Sequence, residues 1–150
     1  MSNKSIHYTT GGMVLQAPAV QKTAQTSSNF NRKTSGGQGA PFEALELLLV
    51  TGAYTDGNHS WVVNEADDNG SGSAGAFTAV AASDLLGAFA AVNSSAGQNA
   101  VQRVAYVGKK QYVQVVSTET GTTGLLYGIV AIPGYPRNLP TVASGSEPYA

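Results

Sequence analysis

Hydrophobic and polar positions alternate with a period of two through much of this chain, and the alternating stretches are separated by clusters of Gly, Ser, Asn and Asp. Successive side chains of a strand point to opposite faces, so this period predicts half-buried strands. Residues 43–50 open in alternation and end in the continuous run Leu47-Leu48-Leu49-Val50 before Gly52. That pattern predicts a strand buried on one face and partly on the other, with a helix as the competing reading because Glu and Leu are good helix formers. The pair Asp56-Gly57 supplies the positive φ angles of a tight turn, and Trp61 to Glu65 leaves it as a strand. Asp67 to Ser73 is the most turn-rich stretch, and Ala76 to Val80 alternates again, so a meander of short strands is expected.

The rhythm breaks between Ala81 and Val92. Ser83 or Asp84 can cap a helix there, and Leu85, Leu86, Phe89 and Val92 follow at helical spacing, although Gly87 weakens a helix by about 1 kcal/mol. One short helix or an irregular crossover is expected. Beyond the polar loop 93–99, two alternating runs, 101–107 and 111–117, flank Gly108-Lys109-Lys110 and predict a hairpin. A last strand, Leu125 to Ile132, is expected to stop at Pro133, which cannot donate to a ladder. Short strands with turns at this spacing point to an all-β chain, with a β-sandwich or jelly-roll-like domain over residues 42–133.

The flanks look different. Residues 1–41 are rich in Ser, Thr, Gln, Asn and Gly and hold one apolar island, Met13-Val14-Leu15 with Ala17-Pro18-Ala19-Val20, that no periodicity extends. They read either as a disordered leader or as an extended arm lying along a neighbouring subunit, with the island as its anchor. Residues 134–150, with Pro136, Pro140 and Pro148, read as an extended tail.

Charge sharpens this division. Net charge is −1, but residues 1–41 carry Lys4, Lys22, Arg32 and Lys33 without an acid, giving +4, and the remaining four bases and nine acids give −5. A near-neutral chain with only 11% charged residues does not read as a dedicated nucleic-acid binder. At 150 residues it is one domain, and its lack of cysteine excludes disulfides and thiolate chemistry. No apolar run has the length of a signal peptide or a membrane span, so synthesis and residence in the cytoplasm until assembly is expected, with no membrane partner.

Candidate chemistry is sparse. His7 and His59 would need carboxylates such as Asp56 or Glu65 to complete a zinc site, and His59 reads better as a solvated turn residue. Asp67-Asp68-Asn69-Gly70-Ser71 lacks the spacing and the bidentate Glu of a calcium loop. No phosphate-binding loop or nucleophile elbow occurs, so no enzyme, metal or cofactor is expected. Tyr54, Trp61, Tyr106, Tyr112 and Tyr127 form either a stacking platform for sugars or core and interface.

An ordered set of phrases then carries a resemblance: Thr55-Asp56-Gly57-Asn58-His59, Glu65-Ala66-Asp67-Asp68-Asn69-Gly70, the run from Ala79 to Phe89, the run from Val101 to Val115, and Thr122-Thr123-Gly124. Over Leu47 to Ile132 the chain resembles a family of small tailed-bacteriophage proteins encoded among head genes, the capsid decoration or cement proteins. The resemblance implies a β-sandwich structural virion protein that binds the outer face of the major capsid protein lattice as a homo-oligomer, dimer or trimer. The alternatives are a phage tail or fibre component, or a carbohydrate-binding module. On this reading Met13, Val14, Leu15, Lys22, Arg32 and Lys33 are the partner-binding candidates, and deleting residues 2–40 leaves a folded domain.

Overall fold

Nine strands, all paired antiparallel, build two sheets in a computed structural model that describes residues 11–35 and 41–136. They are β1 (Met13–Gln21), β2 (Phe30–Asn31), β3 (Phe42–Tyr54), β4 (His59–Ala66), β5 (Thr78–Ala79), β6 (Leu85–Leu86), β7 (Val101–Tyr106), β8 (Tyr112–Glu119) and β9 (Leu125–Pro136). One sheet has the order β1-β9-β3-β7-β6, the other β2-β8-β4-β5. Only β4–β5 and β6–β7 join neighbours within a sheet; every other connection crosses between the sheets. The expected all-β sandwich is therefore present.

Alternation decides what fills the space between the sheets. On β3 the buried positions are Phe42, Leu45, Leu47, Leu49 and Thr51, and on β9 they include Leu125, Tyr127, Ile129 and Ala131. From the other sheet Trp61, Val63, Val113 and Val115 point back at them. Side chains two residues apart share a face, so each strand presents a continuous apolar row inward. The strand reading of residues 43–50 wins over the helix because β9 and β7 pair with both sides of β3.

Three expectations need correction, and one is settled between its two readings. First, residues 13–31 are not an arm outside the domain: β1 pairs with β9 from Met13↔Ala131 to Gln21↔Leu125, and β2 pairs with β8. Leu15 and Phe30 are 3% and 0% exposed in the core. Without β1, the long strand β9 would present an open row of N–H and C=O groups, a liability that sheets cover. Phe42 starts a strand but not the domain.

Second, the runs 101–107 and 111–117 are strands without being a hairpin. β7 already has β3 and β6 on its two sides, so β8 crosses to the other sheet and pairs with β4 and β2. Third, of the two readings for Ala81 to Val92 the irregular crossover forms and the α-helix does not. A single 3-10 turn at Ala82–Asp84, without a side-chain cap, leads into Leu85 at φ −124° and ψ 138°. Leu85 and Leu86 pair with Tyr106 and Ala105, and Val92 exchanges backbone hydrogen bonds with His59 at 2.8 and 2.9 Å. The backbone satisfies its polar groups in the sheets instead.

Fourth, β9 runs through Pro133 to Pro136. Proline removes only a donor, and the Pro133 carbonyl still accepts the Gly11 N–H at 3.0 Å. Of the alternating stretch 76–80 only Thr78–Ala79 pairs, with Asn64 and Glu65. His7, Lys4, the segment 36–40 and the tail from residue 137 lie outside the described residues.

Candidate functional site

Where β7 hands over to β8, the chain turns around one arginine. Arg32 Nη1 donates to the carbonyls of Gly108 at 2.9 Å and Lys110 at 3.2 Å, and Nη2 donates to the Glu43 carbonyl at 2.7 Å. Its guanidinium carbon lies 5.6 Å from the centroid of the Tyr106 ring. The Tyr106 hydroxyl donates to Glu65 Oε2 at 2.5 Å and accepts the Lys110 N–H at 2.9 Å. Burial, and then the Glu65 carboxylate, raise the Tyr106 phenol above its ordinary pKa. Gly108 is needed here because a Cβ would stand 2.5 Å from the tyrosine oxygen.

These ties enclose an open cleft of about 890 Å³ at that corner, with Lys33, Lys109, Lys110, Asp67 and Asp68 among its lining residues. Lys110 is ion-paired with Asp67, which raises its pKa, and the Asp68 carboxyl is held below the usual range by the N–H groups of Gly72 and Gly70. Lys33 and Lys109 are exposed at its rim. The cleft joins Arg32 and Lys33 to Lys109 and Lys110, far along the chain, an association that sequence spacing does not reveal.

The other partner-binding candidates separate. Leu15 is core and Met13 packs against it; Val14 is 55% exposed, and Lys22 is exposed after the end of β1. Arg32 is bound to three backbone carbonyls and is structural. Of the six, Val14, Lys22 and Lys33 are exposed.

At the opposite end, Asp56 clasps the loop before β9. Its carboxylate accepts the N–H groups of Gly124 at 2.8 Å, Thr123 at 2.9 Å and Thr122 at 2.9 Å, and the Thr122 hydroxyl at 3.0 Å. Those donors, Gly124 first, hold its carboxyl far below the ordinary Asp value. Gly124 adopts φ +93°, and a Cβ there would run into the Gln21 carbonyl.

His59 is not a solvated turn residue. It begins β4 at 0% exposure, with Nε2 2.9 Å from the Asp56 carbonyl and Nδ1 4.0 Å from Glu119 Oε2, whose side chain is also fully buried. Glu119 Oε1 accepts from Ser117 Oγ at 2.9 Å and the Tyr127 hydroxyl at 2.7 Å. Burial raises the Tyr127 phenol. Among the described residues no group of three or more His, Asp or Glu side chains is arranged to hold a metal.

The outer faces of the two sheets differ in character. On the four-stranded sheet the outward pairs are Ser60↔Thr118, Val62↔Val116 and Asn64↔Gln114. On the five-stranded sheet Val14, Val130, Leu48 and Arg103 run in register across β1, β9, β3 and β7. A second row runs Ile132, Glu46, Ala105, Leu86, and a third pairs Val50 with Val101. The charges on these rows are Glu46 and Arg103, joined at 2.7 Å.

No known family matches the chain, and no curated protein matches it. Among solved structures it is similar to the CBM22-1 and GH10 modules of the Clostridium thermocellum endo-1,4-β-D-xylanase 10B, determined with xylohexaose, at 8% identity and a TM-score of 0.35. That similarity covers 93% of this chain and 29% of the other. A likeness of that size leaves this chain to be argued from its own residues.

The five aromatic candidates do not make an exposed stacking surface. Trp61, Tyr106, Tyr112 and Tyr127 are at most 6% exposed, and Trp61 stands edge-on to Tyr127 with centroids 5.3 Å apart. Tyr54 is half-buried, donating its hydroxyl to the Gly57 carbonyl at 2.8 Å. No helix among the described residues is long and apolar enough to cross a membrane.

Proposed function

We propose that this chain is a structural virion protein that binds the outer surface of a tailed-phage capsid and stabilises the lattice of its major capsid protein. The partner comes from the resemblance of residues 47–132. The observation that carries the reading onto this molecule is the corner cleft. Of eight Lys and Arg residues, Arg32, Lys33, Lys109 and Lys110 line it, and Lys33 and Lys109 project from its rim. In this reading the two lysines meet acidic loops of the shell. A protein that binds only the assembled lattice shifts the equilibrium toward assembly, and many copies on one shell multiply weak contacts.

The test is co-sedimentation of the purified full-length chain with empty capsids. The chain pellets with the shells, less so at high salt, and the pair Lys33→Glu and Lys109→Glu releases it while leaving its circular dichroism unchanged. Wild-type protein that stays in the supernatant at every salt concentration sinks the reading. Electron images of particles with and without the protein separate head from tail or fibre attachment.

A further inference from the structure

We infer that Asn69 is a site of spontaneous covalent modification, losing its side-chain nitrogen as ammonia to attack by the next backbone nitrogen and ending as aspartate or isoaspartate. Of nine asparagines in the chain it alone is followed by glycine. A side chain on the following residue shields that residue's nitrogen, and Gly70 has none. Gly70 also adopts φ +89°, a conformation that other residues rarely take. Asn69, Gly70 and Ser71 are all exposed, so water reaches the reacting atoms.

Three contacts arrange those atoms. Ser71 donates its backbone N–H to Asn69 Oδ1 at 2.9 Å and its hydroxyl to the same oxygen at 2.7 Å. A backbone N–H only donates, so this contact fixes which end of the carboxamide is oxygen. Two donors on a carbonyl oxygen stabilise the oxyanion that forms when a nucleophile adds to its carbon. The nucleophile is the Gly70 nitrogen, whose N–H donates to Asp68 Oδ1 at 2.7 Å, a carboxylate placed to take the proton. The N–H groups of Gly72 and then Gly70 hold the Asp68 carboxyl below its usual range, which keeps it ionised at neutral pH. Asp68 also faces the Tyr112 hydroxyl at 3.3 Å, Gln111 Nε2 at 3.5 Å and the positive charge of Lys33.

The reaction balances with water as the one co-reactant. The Gly70 nitrogen bonds to Asn69 Cγ, and its proton passes through Asp68 to Nδ2, which leaves as ammonia when the Cγ–Nδ2 bond breaks. The product is a succinimide ring. Water then cleaves the new N–Cγ bond to give aspartate, or the bond from that nitrogen to the Asn69 backbone carbonyl carbon to give isoaspartate. Nothing is oxidised or reduced.

Two similar turns lack part of this arrangement. Asn31 Oδ1 accepts the Lys33 N–H at 3.0 Å, but Arg32 between them has a side chain, and its N–H goes to the Gln111 carbonyl at 2.9 Å. Asp56 precedes Gly57, but its ionised carboxylate is a poor electrophile with no ammonia to lose. At Asn69 the product adds a negative charge beside Asp67 and Asp68, two residues of the corner cleft. Isoaspartate also lengthens the backbone of a turn closed by the Asn69 N–H on the Ser73 carbonyl at 2.9 Å.

Incubating the full-length folded chain at neutral pH and locating mass changes by fragmentation tests this, whatever the protein binds. Modification is expected at Asn69 before any other asparagine, and faster than in a synthetic peptide of residues 64–75. Part of the product is expected to accept a methyl group from an isoaspartyl methyltransferase. Ser71→Ala slows the reaction about fivefold, as loss of one donor to the oxyanion gives. Asp68→Asn slows it at least about tenfold and makes the rate proportional to hydroxide, whereas the wild-type rate changes little between about pH 6 and 8. A turn merely loosened by Asp68→Asn would slow at every pH alike. A peptide as fast as the folded chain, an intact Asn69 while other asparagines react, or rates indifferent to both variants overturns the inference.

Discussion

Asp56 receives the backbone N–H of Gly124 at 2.8 Å, the shortest of the four hydrogen bonds its carboxylate accepts from the loop before β9. The carboxylate form is the one these donors stabilise, so the folded-state pKa lies below the unfolded one. The stabilisation is present above the ordinary Asp pKa of about 3.9 and is lost as pH falls toward the folded value. Asp56→Asn lowers the thermal midpoint at neutral pH and flattens its decline below about pH 4. Thermal melts at a series of pH values check this, and parallel curves for the two proteins would contradict it.

Leu15 and Phe30 belong to the core although both precede Phe42. Leu15→Ala therefore costs about 2–5 kcal/mol, and Phe30→Ala about 3–5 kcal/mol, of unfolding free energy. Urea denaturation measures both. Deletion of residues 2–40 removes β1 and β2 and leaves β9 with an open edge, so the truncated chain is expected to aggregate or remain unfolded rather than persist as a domain.

At the corner, the Tyr106 hydroxyl serves Glu65 and the Lys110 N–H at once. Tyr106→Phe deprives both of a partner at a site where the residue is 1% exposed, a cost of about 1–3 kcal/mol. Backbone hydrogen exchange at Lys110 should quicken in the same variant. Unchanged exchange there would show that the corner does not depend on this hydroxyl.

Glu119 and His59 face each other with both side chains fully buried. Glu119→Ala removes the acceptor of the Ser117 and Tyr127 hydroxyls at a buried site, a cost of about 1–3 kcal/mol for a group left unpaired. Glu119→Gln keeps the shape and the acceptor for Tyr127, and is expected to cost less. Chemical denaturation of the two variants compares them; equal losses would assign the effect to charge rather than to packing and hydrogen bonding.

Trp61→Ala, which the sugar-module alternative makes a binding mutation, is expected instead to destabilise the fold by about 3–5 kcal/mol. Its ring packs on Tyr127 at 6% exposure. A stable variant with an unchanged melting curve would contradict the core assignment.

Much of the fold is legible in local pattern. The alternation in residues 43–50, 61–65 and 111–117 names strands, and the Asp56-Gly57 and Asp67–Ser73 turns fall where Gly and Asp relax the backbone. The candidate site is less legible. Leu15 read as a mobile anchor because Pro18 and the register shifts of β1 hide its alternation, and its partner strand lies more than a hundred residues away. Arg32 reads as a partner-binding residue in the sequence because the three carbonyls that hold it come from Glu43, Gly108 and Lys110.

By itself the sequence determined the all-β class, the turn positions and most strand cores, because those depend on side-chain alternation and on glycine and aspartate within a few residues. Tertiary structure alone decided which strands pair, that β7 and β8 part into opposite sheets, that residues 13–31 complete the sandwich, and that the outward rows of β1, β9, β3 and β7 line up as a face apolar but for the Glu46–Arg103 pair. Pairing joins backbone groups that are interchangeable along the chain, so its outcome rests on which edges are left open and which side chains fill the same core, and both are properties of the assembled whole.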